Sequence, residues 1–340
     1  MRSLVAIRAH RPTPDVARLH RILSQIVPDG RLVVVVDRTA EGAPQVWPDE
    51  YELVPFDREL LAELGLRSDM SDLGWRCGDY AYYALAHARA FDHAWLIEPD
   101  VRFAGADPAA LLRELDASEA DLVAPDIRRA VDWLWQPHLT TRGVAEPWRC
   151  FFPLTRLSRR AVDAARDLRH RVQWQDSHVG QPNDEGIVAT AVLGAGLSSE
   201  DLRAGRPETF AHFHHRPKLT VESLAGAAPG VAHPVVDHEG FVRALRRELL
   251  LATRADVRSL LRGRRRRGAV RILQILADHA LLTPGMRPAH EAVFGPADLQ
   301  YRHYDRAFRA RVLRTLPRHV RALAAAAGLV VLAYGRPRSA

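Results

Sequence analysis

Over the first 125 residues, short apolar runs alternate with stretches whose apolar positions recur every three or four residues. "SLVAIRAH" (3–10) predicts a strand, "TPDVARLHRILSQIV" (13–27) an amphipathic helix, and "RLVVVVDRT" (31–39) a strand buried on both faces. A strand, a helix and a second strand in that order imply a parallel pair with its faces covered. "FDRELLAELG" (56–65) and "GDYAYYALAHARAF" (78–91) predict helices, and "AWLIEP" (94–99) a strand. "DPAALLRELDAS" (107–118) predicts a helix and "DLVAPD" (121–126) a short strand. From 126 to 182 the pattern is lost in Trp, Pro, His and Arg, and a loose section is expected there. "DEGIVATAVLGAG" (184–196) restores a helix, and "ETFAHFHH" (208–215) predicts a last strand. "SLAGAAPGVAHP" (223–234) reads as a linker, after which 237–340 predicts mostly basic helices. The expected division is a catalytic α/β domain over 1–222 and a helical region over 237–340.

Composition narrows this little. An apolar fraction of 47% with 26% charged residues describes an ordinary globular chain of 340 residues. Cys77 and Cys150 are too few for a disulfide framework, and the start "MRSLVAIRAHRP" has no apolar leader core. The late stretch "ALAAAAGLVVLAY" is short for a membrane span. A cytoplasmic protein is expected, with peripheral contact at the inner membrane face through its basic end. The net charge of +7 rests on 48 basic residues, of which Lys218 is the only lysine. Arginine suits phosphate and carboxylate recognition, although codon bias on a solvated surface accounts for most of such an excess.

The chemistry begins where the strand 94–97 ends in Glu98-Pro99-Asp100. Ligands of open parallel sheets bind beyond the carboxyl ends of strands, and Pro99 stops further pairing there. Two carboxylates at i and i+2 repel unless a positive group joins them. Their hard oxygens suit Mg²⁺ or Mn²⁺, especially one that also holds a diphosphate.

The order of elements, with an acidic motif closing a central strand after an N-terminal βαβ half, resembles the GT-A nucleotide-sugar glycosyltransferases over roughly residues 3–220. The resemblance implies a GT-A, Rossmann-like α/β fold with a mostly parallel sheet flanked by helices. It implies a Mn²⁺ or Mg²⁺ cofactor held by Asp100, with Glu98 touching the metal, its waters or the ribose. It also implies a nucleotide-diphosphate sugar as donor and a glycan or lipid-linked acceptor. Asn183, Asp184 and Glu185 start a helix about 85 residues after the acidic motif. They read equally well as an N-cap with acidic first-turn residues or as the place of a catalytic base. By the resemblance, Asp184 or Glu185 deprotonates the acceptor hydroxyl, with Asp184 slightly preferred because Asn183 can cap. His212 and His214 share one face of the last predicted strand, and late histidines complete some metal sites of this family. Arg216 and Lys218 suit a pyrophosphate. His10, Arg11 and Asp37 follow the first two strands, where family analogy puts base and ribose contacts. Asp37 could equally cap the next turn. The same analogy brings Asp79 to the nucleotide-sugar. Trp133, Trp135 and Trp148 offer flat faces for acceptor stacking, or cover for an apolar edge.

Two other readings fit the residues less well. A sugar-1-phosphate nucleotidyltransferase would want a glycine-rich basic loop after the first strand, and "AHRPTPD" has no glycine. "RGRRRRG" (262–268) raises nucleic-acid binding, but no aromatic residue interleaves with it and no groove-reading motif accompanies it. No nucleic-acid partner is expected; acidic lipid headgroups, an anionic glycan or no specific partner suit that run better.

Overall fold

The computed structural model describes residues 3–40, 45–70, 72–105, 107–173, 180–215, 219–221, 224, 228–237, 240–241 and 243–244. The expected helical region therefore lies almost wholly outside the described residues. In chain order the elements are β1 (Leu4–Ala9), α1 (Pro14–Ser24), β2 (Leu32–Asp37), β3 (Leu53–Phe56), α2 (Arg58–Glu63), α3 (Leu73–Arg76) and α4 (Tyr80–Ala88). There follow β4 (His93–Ile97), β5 (Arg102–Ala104), α5 (Pro108–Asp116), β6 (Leu122–Ala124), β7 (Arg128–Arg129), α6 (Pro137–Thr140), β8 (Trp148–Arg149) and β9 (Leu154–Ser158). The described elements close with α7 (Arg159–Gln173), α8 (Asp184–Gly194), β10 (Ser199–Asp201), α9 (Leu202–Gly205), β11 (His212–Phe213) and β12 (Gly230–His233). The chain divides into two compact units, Met1–His212 with Ala228–Val231, and Phe213–Ala227 with Ala232–Ala340. Among the described residues, no helix is long and apolar enough to cross a membrane.

The first unit is built on a seven-stranded sheet of order β10-β6-β9-β4-β1-β2-β3. β1 pairs in parallel with β2 and β4, β2 with β3, and β10 with β6. Only β9 runs antiparallel, between β4 and β6. This is the mostly parallel α/β architecture expected from the alternating pattern. Val33–Val36 of β2 are fully covered, as a β-branched run between two helical layers should be. β3 carries Pro55, which lacks a ladder donor, and it lies at the sheet edge where that is tolerated. In the second unit, Leu219, Ala232 and Val235 form a small apolar cluster.

The section expected to be loose contains two central elements. α7 buries Ala161, Val162, Ala165, Leu168 and Val172, a helical spacing obscured by the five arginines that share the segment. β9 is buried at every position although it contains Thr155, Arg156 and Ser158. Arg156 is tolerated because it donates to the carbonyls of Asp116 (3.3 Å), Ser118 (2.6 Å) and Ala120 (3.1 Å), beyond the C-terminal end of α5 where cations are favoured. The expected strand 208–215 is reduced to His212–Phe213, and part of the expected linker forms β12.

A buried ion pair locks α4 to α7. Arg169 donates to both oxygens of Asp79 (2.8 and 2.7 Å), and both side chains are fully covered. Tyr83 donates a further bond to Asp79 (2.7 Å), while Arg169 also donates to the Pro182 carbonyl (2.6 Å) and so fixes the approach to α8. Burial is the largest single influence and opposes the Arg169 charge, but Asp79, Cys77 and Tyr80 together offset it and hold that guanidinium well above its ordinary pKa. Replacing one member of such a pair strands the other charge in the interior. Arg169→Met is expected to lower unfolding free energy by about 3–5 kcal/mol in urea denaturation. Asp163→Asn, at solvent-facing pairs with Arg159 and Arg166, is expected to change it by less than about 1 kcal/mol.

Candidate functional site

A cleft of about 660 Å³ opens at the carboxyl ends of β1, β2 and β4. His10 and Arg11 stand exposed at its mouth after β1. Asp37 lines it from the end of β2, Glu98 and Asp100 from beyond β4, and Gly74 and Trp75 from α3. Asp37 serves the local turn, accepting from the Thr39 backbone (2.9 Å) and hydroxyl (2.6 Å), while remaining part of the cleft wall. The acidic turn after β4 is held from beneath: Arg18 of α1 donates to the Pro99 (2.9 Å) and Val101 (3.1 Å) carbonyls. Oxygens of Glu98 and Asp100 lie within 4.8 Å of one another, a separation that a hard divalent cation can join.

Arg8, which the sequence reading missed, supplies a positive group to the Glu98 member of this pair. Its Nη1 donates to Glu98 Oε1 (2.9 Å) and lies 3.8 Å from Asp184 Oδ2, while Nη2 donates to the Gly74 carbonyl. The signal was a single charge inside the otherwise apolar β1, a position more often read as solvent-facing. Gly78 makes the approach possible, because a Cβ there would overlap both Arg8 Nη1 and Asp184 Oδ2.

At the start of α8, both readings of the 183–185 triplet hold in part. Asn183 is the cap, accepting from the Gly186 backbone (3.2 Å). Asp184 is buried, and both its oxygens are engaged by backbone N–H groups, of Gly78 (2.9 Å) and Glu185 (2.8 Å). Glu185 is half-buried, with one oxygen accepting from the Asn183 amide (3.1 Å). Burial is the largest influence on both carboxyls. The Asp184 pKa is pushed up to about 7, with Arg8 opposing and Asp79 and Glu98 assisting. The Glu185 pKa is pushed up to about 8, with the Asp184 charge assisting and Asn183 and Arg149 opposing. Glu185 is the more open of the two, whereas Asp184, slightly preferred from sequence, is engaged by the Gly78 and Glu185 backbone.

Asp79 requires a correction. Its fully buried carboxylate is spent on Arg169 and Tyr83, which closes it to any ligand. Trp135 is wedged between Trp75 (5.4 Å) and His138 (5.0 Å), with Arg76 over its ring (4.8 Å). Trp75, also missed from sequence, is 59% exposed and lines the cleft. Trp133 lies under Arg149 and Trp148 under Arg129. His212 is half-buried on β11 and is not among the groups gathered with the Glu98 and Asp100 oxygens. His214 belongs to the second unit, where its backbone N–H donates to the His233 carbonyl (3.1 Å). Arg216 and Lys218 lie outside the described residues.

No family model and no curated protein matches the sequence. The chain is similar to the mannosyltransferase PcManGT from Pyrobaculum calidifontis, solved with GDP-Man and Mn²⁺, at 13% identity over 98% of this chain and 81% of that one (TM-score 0.35). It is similar to the glycosyltransferase GlyE of Streptococcus pneumoniae at 12% identity over 69% of this chain and 55% of that one (TM-score 0.34). It is also similar to a CMP:2-keto-3-deoxy-manno-octonic acid synthetase complexed with CTP, at 12% identity over 59% and 90% (TM-score 0.32). Similarity at that level leaves the chemistry to be argued from the cleft.

The raised carboxyl pKa values carry a stability signature. A carboxyl whose folded pKa lies above its unfolded value stabilises at low pH, and that contribution is lost as pH rises through the folded pKa. His20, His93 and His138, held below the ordinary imidazole range chiefly by burial, pull the other way. The difference between wild type and Glu185→Gln isolates the carboxyl. Wild-type stability relative to that variant is expected to fall between about pH 5 and pH 8 in urea denaturation. A constant difference would contradict the raised pKa.

Proposed function

We propose that the chain is a metal-dependent glycosyltransferase that takes a nucleotide-diphosphate sugar and passes its sugar to an acceptor hydroxyl. The carrying observation is that Arg8 joins the acidic turn at the end of β4 to the buried carboxyl of Asp184 at the start of α8. An anionic donor suits a cleft containing Arg8, Arg11 and Arg58, and a divalent cation suits the Glu98 and Asp100 oxygens. When bound, Mg²⁺ or Mn²⁺ there would neutralise charge on the departing diphosphate.

The rest of the reaction falls to the chain's own groups. Glu185, with a pKa near working pH, accepts the proton of the acceptor hydroxyl as that oxygen attacks the anomeric carbon. Asn183 orients the Glu185 carboxyl, and Asp184 ties the helix start to Gly78. Exposed Trp75, braced by Trp135, offers an aromatic face at the cleft wall on which a sugar can stack. The acceptor in this proposal is a glycan or a lipid-linked molecule.

Isothermal titration with UDP and with GDP, each with and without Mn²⁺, tests the reading. Binding of at least one diphosphate is expected to require or be strengthened by the metal, and no metal-dependent binding of either would sink the proposal. Glu185→Gln keeps size and the Asn183 contact but cannot take a proton. It is expected to lower kcat by roughly 10²–10⁴-fold with donor affinity nearly unchanged. Near-full activity in that variant would remove the base assignment and favour a retaining mechanism.

A further inference from the structure

Arg8 engages the carboxylate to which a cation would have to bind. Its guanidinium donates to Glu98 Oε1 at 2.9 Å, and the two side chains are only 12% and 28% exposed, so water screens the pair incompletely. An oxygen engaged by a guanidinium is a poorer ligand for a divalent cation, and the guanidinium charge repels that cation at close range. Arg8 also lines the cleft, where an entering anion can reach it. A diphosphate offers a planar guanidinium the paired oxygens it matches best. Asp184, at 3.8 Å, and the Gly74 carbonyl give Arg8 partners that do not depend on Glu98.

The geometry points to Arg8 as an internal latch that couples cation and anion binding. Paired with Glu98, it keeps the acidic turn from binding a divalent cation strongly alone. An arriving diphosphate draws the guanidinium away from Glu98 Oε1 and thereby raises affinity for the cation. Thermodynamic reciprocity requires that the cation raise affinity for the diphosphate by the same factor. The inference rests on the reading of Glu98 and Asp100 as cation ligands, and it adds a sign which that reading lacks: removing a positive charge from the cleft alters metal and nucleotide affinity in opposite directions.

The test measures Mn²⁺ affinity by electron paramagnetic resonance, alone and with UDP or GDP, in wild type, Arg8→Met and Glu98→Gln. Wild type is expected to bind Mn²⁺ weakly alone and more tightly once the diphosphate is present. Arg8→Met is expected to bind Mn²⁺ alone roughly tenfold more tightly and to gain little more from the diphosphate. Glu98→Gln, which releases Arg8 without removing it, is expected to bind the diphosphate more tightly than wild type in the absence of metal. It decides the matter if Arg8→Met fails to fold. Folded Arg8→Met with unchanged or weaker affinity for Mn²⁺ alone overturns the latch, as does Glu98→Gln with unchanged metal-free diphosphate affinity. If wild type binds no diphosphate with Mn²⁺, the reading of the cleft itself has failed. If wild type binds both and neither variant shifts, only the latch has failed.

Discussion

Three carboxylates from two distant parts of the chain converge at the ends of β1 and β4, and the guanidinium of Arg8 bridges two of them, Glu98 and Asp184. Without a cation, Glu98 and Asp184 would face each other across a poorly solvated gap, with Asp100 beside Glu98. The parallel pairing of β1 with β4 delivers Arg8 there, because Ile7 lies opposite Ile97 and the next residues on each strand are Arg8 and Glu98. The absence of a side chain at Gly78 leaves space for the contact. Strand register, a missing side chain and one charge together define the candidate site.

What lies behind the cleft is equally constrained. The buried pair Asp79–Arg169 fixes the Pro182 carbonyl, which sets the approach to Asn183 and hence the direction in which Glu185 projects. A fully covered ion pair is weak evidence for stability, since desolvation offsets most of its attraction. Its value is geometric, because Arg169 can satisfy Asp79 and Pro182 at once only with α4, α7 and the α8 start in this arrangement.

The legible parts of the sequence were those in which one periodicity dominated. The valines of β2 and the apolar stripe of α1 needed no partner to be recognised, and the breakdown of pattern at Glu98-Pro99-Asp100 marked the strand end that carries the acidic turn. α7 was hidden although its buried positions follow helical spacing, because five arginines are interspersed among its apolar residues. Asp79 was misread because its partner lies 90 positions away, and sequence proximity to a helix start says nothing of such a partner. Which of Asp184 and Glu185 is the more buried depends on the backbone of Gly78, which engages Asp184, rather than on any local pattern.

The central claim is that Asp100 and its neighbours make this cleft a joint site for a divalent cation and a nucleoside diphosphate. Titration of Asp100→Ala with UDP and GDP, with and without Mn²⁺, tests it most directly, with folding checked by circular dichroism. The account predicts a folded variant in which Mn²⁺ no longer strengthens nucleotide binding. A folded variant whose nucleotide binding remains as dependent on Mn²⁺ as that of wild type would contradict it.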